Sequence, residues 1–156
     1  MKRKEVFQGV VVFVVFFIIG CGVFNKQRID PQLKPLVDEF YNICSYSGID
    51  ASSVYKLNNI GFSQNSNTYW GYYYTRDSAT YRTISLDPEL RKEDNFLKVV
   101  LYHELLHSLG VGHDTINKNS IMSPQIDILK YKKIYKDKLM INLELMSCLI
   151  ELKYKK

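Results

Sequence analysis

The sequence predicts one domain of the α+β class, and two features of its hydrophobic pattern support this. Apolar residues recur at helical spacing over residues 31–46, 94–109 and roughly 126–152. From residue 53 to 86 the pattern changes to short strand-like runs separated by polar turn residues. The chain has 156 residues, which is enough for one domain in which helices pack against a small sheet.

The first helix is expected over residues 31–46. Pro31 suits the first turn of a helix, and Gly48 suits its end. The core-facing stripe consists of apolar residues at helical spacing: Leu33, Leu36, Val37, Phe40 and Cys44.

Strands are expected between the first two helices. Val54–Leu57 is β-favouring, and residues 69–75 are rich in aromatic side chains. Residues 81–86 alternate between apolar and polar side chains, with Ile84 on the apolar face.

The strongest helical pattern covers residues 94–109 and is apolar on nearly every face, which indicates a buried helix. The same helix carries His103, Glu104 and His107, and burial of these groups without partners would be costly. They therefore indicate a functional site. The last helix should face the core with Ile134, Ile141, Leu145, Cys148 and Leu152.

The N-terminal 20 residues resemble an export signal. Three basic residues precede the apolar run Val6–Ile19, which is too short to span a bilayer by itself. The following Gly20-Cys21 completes a pattern that resembles the bacterial lipobox, so Cys21 is expected to carry lipid and residues 21–30 to form a tether. An uncleaved anchor of about 19 residues is the alternative. Both interpretations place the remaining chain outside the cytoplasm, anchored to a membrane of the bacterial cell envelope.

Two cysteines remain besides Cys21. In an exported protein, Cys44 and Cys148 can form a disulfide, which would stabilise the fold by up to roughly 4–5 kcal/mol in the chain-entropy model. They can equally be two buried free thiols on helix faces, and the sequence leaves both alternatives open.

The charge pattern argues against nucleic-acid binding. The net charge is +5, and three of the basic residues belong to the N-terminal signal. The basic stretch at residues 130–138 has the pattern of a solvated helix face. A monomer without a nucleic-acid partner is expected.

Residues 103–113 read His-Glu-Leu-Leu-His-Ser-Leu-Gly-Val-Gly-His. On a helix, His103 and His107 are one turn apart and can both reach one metal ion at about 2.0–2.1 Å. Glu104 lies about 100° around the helix, where it can contact a water on that metal. Gly110 can adopt a left-handed conformation and so return His113 as a third ligand. Three neutral nitrogen ligands and one open position are typical of catalytic zinc.

This motif is similar to the zinc signature of the metzincin metallopeptidases. That family also has a methionine-containing turn beneath the zinc, and Met122 lies nine residues after His113 in such a turn. The resemblance implies a metzincin-like catalytic domain over residues 31–156, divided near Gly110. It would comprise an N-terminal helix, a small twisted mixed sheet, the active-site helix and a C-terminal helix.

The resemblance also implies an activity. The protein would be a zinc-dependent endopeptidase with one catalytic Zn²⁺, a protein or peptide substrate and Glu104 as general base. Family members bind extended substrates along an edge strand, for which Tyr81–Leu86 is the candidate, and residues 123–130 would wall the adjoining pocket. Asp114 is similar to the adamalysins and Pro124 to the matrixins, so the subfamily stays open.

Two non-catalytic alternatives remain. One is a lipid-anchored binding module in which zinc is purely structural; the other is a surface protein that binds glycan through Tyr72–Tyr74. Glu104 favours the peptidase, because a structural zinc site needs no such carboxylate.

Overall fold

A four-stranded sheet with helices packed against it forms the part of the chain that this computed structural model describes, namely residues 27–64, 69–75, 81–124, 133, 135 and 137–154. The strands are β1 (Arg28–Ile29), β2 (Asn59–Phe62), β3 (Gly71–Thr75) and β4 (Arg82–Leu86). The helices are α1 (Lys34–Tyr46), α2 (Ser52–Tyr55), α3 (Asp94–Ser108) and α4 (Lys138–Tyr154), with a 3₁₀ turn at Pro88–Lys92. Helices combined with a small mixed sheet agree with the predicted α+β class.

The strand order is β1-β2-β4-β3. β1, β2 and β4 run parallel, and β3 runs antiparallel to β4, with Tyr73 opposite Ile84. The prediction that Tyr81–Leu86 is an edge strand is therefore wrong, since β4 has a neighbour on each side. The outer strand beside it is β3. Alternation of apolar residues reports which face of a strand is buried, but not which strands pair with it.

Helix α3 lies in the core, as its all-round apolar pattern predicts. It contacts β3 and β4 on one side and α4 on another. Its one fully buried cation, Lys98, reaches both carboxylate oxygens of Glu39 on α1 at 2.9 Å. No sequence pattern predicts this ion pair, because its two residues are far apart in the chain.

The structure corrects three local predictions. The prediction of a tether over residues 21–30 is wrong from Gln27 onward. Gln27 donates a hydrogen bond to the Val54 carbonyl at 2.7 Å, and β1 pairs with β2. The strand expected at Val54–Leu57 is wrong, because Ser52–Tyr55 forms one helical turn instead. Helix α1 begins at Lys34 rather than at residue 31. Such short elements leave no periodicity in the sequence.

The two cysteines beyond the N-terminus are free thiols, Cys44 buried and Cys148 half-buried. No disulfide joins them, so of the two alternatives that the sequence leaves open, two thiols packed on helix faces holds. Burial raises the pKa of each thiol to about 12. Both therefore behave as small apolar side chains.

Several predictions lie outside the described residues. These are the signal at residues 1–20, lipidation at Cys21, most of the pocket wall at 123–130, and the first part of the last helix, including Ile134. The described part of that helix buries Ile141, Leu145 and Leu149. Among the helices described, none has the length and apolar character needed to cross a membrane.

Candidate metal centre

Three imidazole rings meet beyond the C-terminal half of α3. Nε2 of His107 lies 3.0 Å from Nε2 of His103 and 3.2 Å from Nε2 of His113. All three ligand atoms lie within 4.8 Å of one another. Ligands of a tetrahedral ion with bonds of 2.0–2.1 Å are about 3.4 Å apart. The three predicted histidines are thus close enough together to bind one metal ion.

Backbone carbonyls orient the two helix histidines. Nδ1 of His103 lies 2.7 Å from the Ile121 oxygen, and Nδ1 of His107 lies 2.8 Å from the Val111 oxygen. A carbonyl can only accept, so each Nδ1 carries the proton and donates it. Each Nε2 therefore keeps a free lone pair for a metal, in the arrangement that usually supports histidine ligands.

The turn after α3 brings His113 back to the helix. Gly110 has a φ of 86°, in the left-handed region, as predicted from its position. Its N–H donates to the His107 carbonyl, and the Val111 N–H donates to the Leu106 carbonyl, which is the Schellman pattern at a helix end. The turn places the Val111 carbonyl against His107, so one local structure both ends the helix and orients a ligand.

The loop that follows is held by its own polar groups. The Asp114 carboxylate accepts hydrogen bonds from the amides of Ile116 and Asn117, both at 2.9 Å. The Asp114 amide donates to the carbonyl of Met122 at 2.8 Å. Met122 is buried in a turn that also presents the Ile121 carbonyl to His103. The methionine predicted to lie under the histidines is thus in the turn that holds one of them.

Glu104, the residue after His103, is buried, and its carboxylate meets β3. Burial raises its pKa to about 7, and a hydrogen bond from the backbone N–H of Tyr73 opposes that rise. A Cβ added at Gly71 would lie 3.3 Å from the Glu104 Cγ, so the strand and the stem of this side chain are in close contact. At neutral pH the carboxyl group can therefore either accept or release a proton.

Burial also keeps the helix histidines neutral. It lowers the pKa of His103 to about 4, although the hydrogen bond to Ile121 acts in the opposite direction. The pKa of His107 is lowered for the same reason. Metal binding needs neutral imidazole, so these two histidines can bind a cation without first losing a proton.

A cavity of about 640 Å³ opens beside the third histidine. It lies between the loop of residues 110–117 and α4, and His113 is part of its wall. Cavities of this size accommodate peptide side chains and small ligands.

The structure brings together the three histidines that the sequence assigned to the metal, and it buries Glu104 one residue further along the same helix. The sequence does not predict the backbone partners of these residues at Tyr73, Val111 and Ile121, because any residue type supplies an amide or a carbonyl. Comparison with protein-family models, curated proteins and solved structures finds no match to this chain.

Proposed function

We propose that this protein is a zinc-dependent endopeptidase of the metzincin type, anchored at the cell envelope. The observation that carries the proposal is the convergence of the three Nε2 atoms; Glu104, the residue after His103, is a buried carboxylate on the same helix. Three imidazoles are a donor set that suits zinc and leave a fourth coordination position open, as in catalytic zinc sites. The sequence motif and the geometry therefore support the same chemistry.

His103, His107 and His113 would hold the zinc ion, which would supply Lewis-acid chemistry for activating water and polarising the scissile carbonyl. Glu104 accepts a proton from the attacking water while the water oxygen bonds to the carbonyl carbon. Glu104 then delivers that proton to the leaving amine as the C–N bond breaks. A pKa of about 7 suits both transfers, and the Tyr73 amide holds the carboxylate in place.

Strand β3 is the proposed substrate-binding edge, in place of the residues first expected. Among the described strands it pairs only with β4, so its other edge can pair with an extended peptide. Its middle residue, Tyr73, hydrogen-bonds Glu104 through the backbone. A peptide added to this edge would therefore lie next to the proposed base.

The test compares the full chain in detergent as wild type, Glu104→Gln and Glu89→Gln, the last as a matched control on an exposed carboxylate. Elemental analysis should find one zinc per chain in all three proteins. Cleavage of a mixed peptide library should disappear with a chelator and fall by roughly 10²–10⁴-fold in Glu104→Gln alone.

Other outcomes would decide against the proposal. Zinc in all three proteins with cleavage in none would favour the non-catalytic binding module. A chain that binds no zinc would contradict the metal assignment itself.

A further inference from the structure

The described fold begins a short distance after the apolar N-terminal run. Ile19 ends that run, and Gln27 is already fixed to the Val54 carbonyl at 2.7 Å. Eight residues span at most about 29 Å when fully extended. Any membrane that holds the apolar run must therefore lie within about 29 Å of Gln27.

Gln27 lies at one end of the domain, which we call the entry end. It comprises Gln27, α2, and the last turns of α1 and α4. The Gln27 side chain contacts α2, and α1 leads to α2 through the short connection 47–51. The Lys153 ammonium on α4 reaches the Ser47 carbonyl at 3.5 Å. These elements therefore form one continuous surface around the point where the chain enters.

Exposed aromatic side chains gather at the entry end. Tyr46 is 91% exposed, Tyr55 45% and Tyr154 82%. Arg28, Lys56 and Lys153 at the same end are exposed cations. The nearby Asp50 carboxylate is engaged by the amide and hydroxyl of Ser52. Tyrosine with lysine or arginine is the composition that favours the boundary between membrane and water, because the ring enters the head-group layer while the cations meet anionic lipid.

We propose that the entry end lies on a phospholipid membrane surface that contains anionic lipid, with Tyr46, Tyr55 and Tyr154 at the level of the head groups. This orientation rests on the proposed membrane anchoring and does not depend on peptidase activity. It leaves β3 exposed, because β3 is three strand spacings, about 14 Å, from β1 across the sheet. A substrate would then reach the site from the aqueous side.

The single tryptophan, Trp70, makes the orientation measurable. It precedes Gly71, which pairs with Leu86 at the end of β4 remote from Arg82. Trp70 is therefore displaced from the entry end by roughly 15 Å along the strands. Its ring packs against Phe96 at 5.4 Å between centroids, so Trp70→Phe keeps an aromatic contact.

The experiment uses the full chain in vesicles of equal parts phosphatidylcholine and phosphatidylglycerol that carry a fluorescence quencher at the head group. Tyr154→Trp and Tyr46→Trp, each combined with Trp70→Phe, report on the entry end. Tyr69→Trp with Trp70→Phe is the matched control, because Tyr69 is also well exposed, at 67%, but lies at the opposite end. Quenching should be several-fold stronger for Tyr154→Trp and Tyr46→Trp than for Tyr69→Trp or native Trp70.

Equal quenching at both ends, or stronger quenching of Tyr69→Trp, would overturn the proposed orientation. A chain that does not sediment with the vesicles would overturn membrane contact altogether. In vesicles of phosphatidylcholine alone the entry-end quenching should weaken. Unchanged quenching there would overturn the role given to the cations.

Discussion

His103 and Glu104 are consecutive residues, and burial shifts the pKa values of their side chains in opposite directions. It favours the neutral form of each, so it lowers the pKa of the histidine to about 4 and raises that of the glutamate to about 7. Neutral imidazole is the form that binds a metal. A carboxyl group with a pKa near 7 is the form suited to moving protons at neutral pH.

These shifts predict opposite pH dependences of stability in the metal-free protein. The pKa of Glu104 is raised in the folded state. Its contribution to the free energy of unfolding is therefore complete below 4.5, the pKa in the unfolded chain, and is lost as the pH rises through about 7. For His103 the folded pKa is lowered, so its contribution is present above 6.5 and is lost as the pH falls through about 4. The two effects oppose each other in the wild type.

The Glu104→Gln variant separates the two effects. Between about pH 4.5 and 7.5 its free energy of unfolding should rise relative to wild type by on the order of 3 kcal/mol. Urea unfolding of both metal-free proteins across this range measures the difference. Parallel stability curves would show that Glu104 does not titrate as proposed.

At the scale of elements, the contact between β3 and α3 positions the base. A Cβ at Gly71 would lie 2.9 Å from both Leu86 Cδ2 and Val100 Cγ1, so only glycine allows the strand this close to the helix. The same approach lets the Tyr73 amide reach Glu104. The distance between β3 and α3 therefore determines whether the Tyr73 amide can contact the Glu104 carboxylate.

Gly71→Ala is expected to destabilise the fold by roughly 1–3 kcal/mol, as overpacking does. It should also lower kcat, because the strand must move away from Glu104. Adding Val100→Ala removes one of the two clashing atoms, Val100 Cγ1, and should restore part of both losses. Thermal unfolding and peptide cleavage of the single and double variants measure this coupling.

Gly61→Ala on β2 is the matched control, since its Cβ would meet only the Asn59 side chain at 3.5 Å, an ordinary contact. It should change stability and kcat little. Equal effects of the two glycine substitutions would contradict the proposed close approach at Gly71.

At the scale of the whole molecule, one buried ion pair joins three helices. Lys98 on α3 meets Glu39 on α1, and Asn142 on α4 donates to the same carboxylate at 2.8 Å. Burial lowers the pKa of Lys98, and the ion pair with Glu39 opposes this. Removal of the carboxylate would leave a buried ammonium without its counter-charge.

Glu39→Ala should therefore cost roughly 2–4 kcal/mol of unfolding free energy, reduced from the fully buried case because the glutamate is partly exposed. Adding Lys98→Met should recover most of the loss. Asp38→Ala, which breaks the exposed pair with Lys34 on the same helix, should cost about 0.5 kcal/mol or less. Denaturant unfolding of these variants forms the test, and a double variant no more stable than Glu39→Ala would refute the buried-charge explanation.

The parts of the site that depend on local geometry could be predicted from the sequence. The spacing of His103 and His107 within one helix, and the glycine that ends that helix, fix their relations over a few residues, so helical periodicity was enough to predict them. Three features are visible only in the tertiary structure: the order of the strands, the backbone partners at Ile121 and Tyr73, and the Lys98–Glu39 pair. These contacts join residues far apart in the chain, and periodicity shows which face of an element is buried without showing what that face meets.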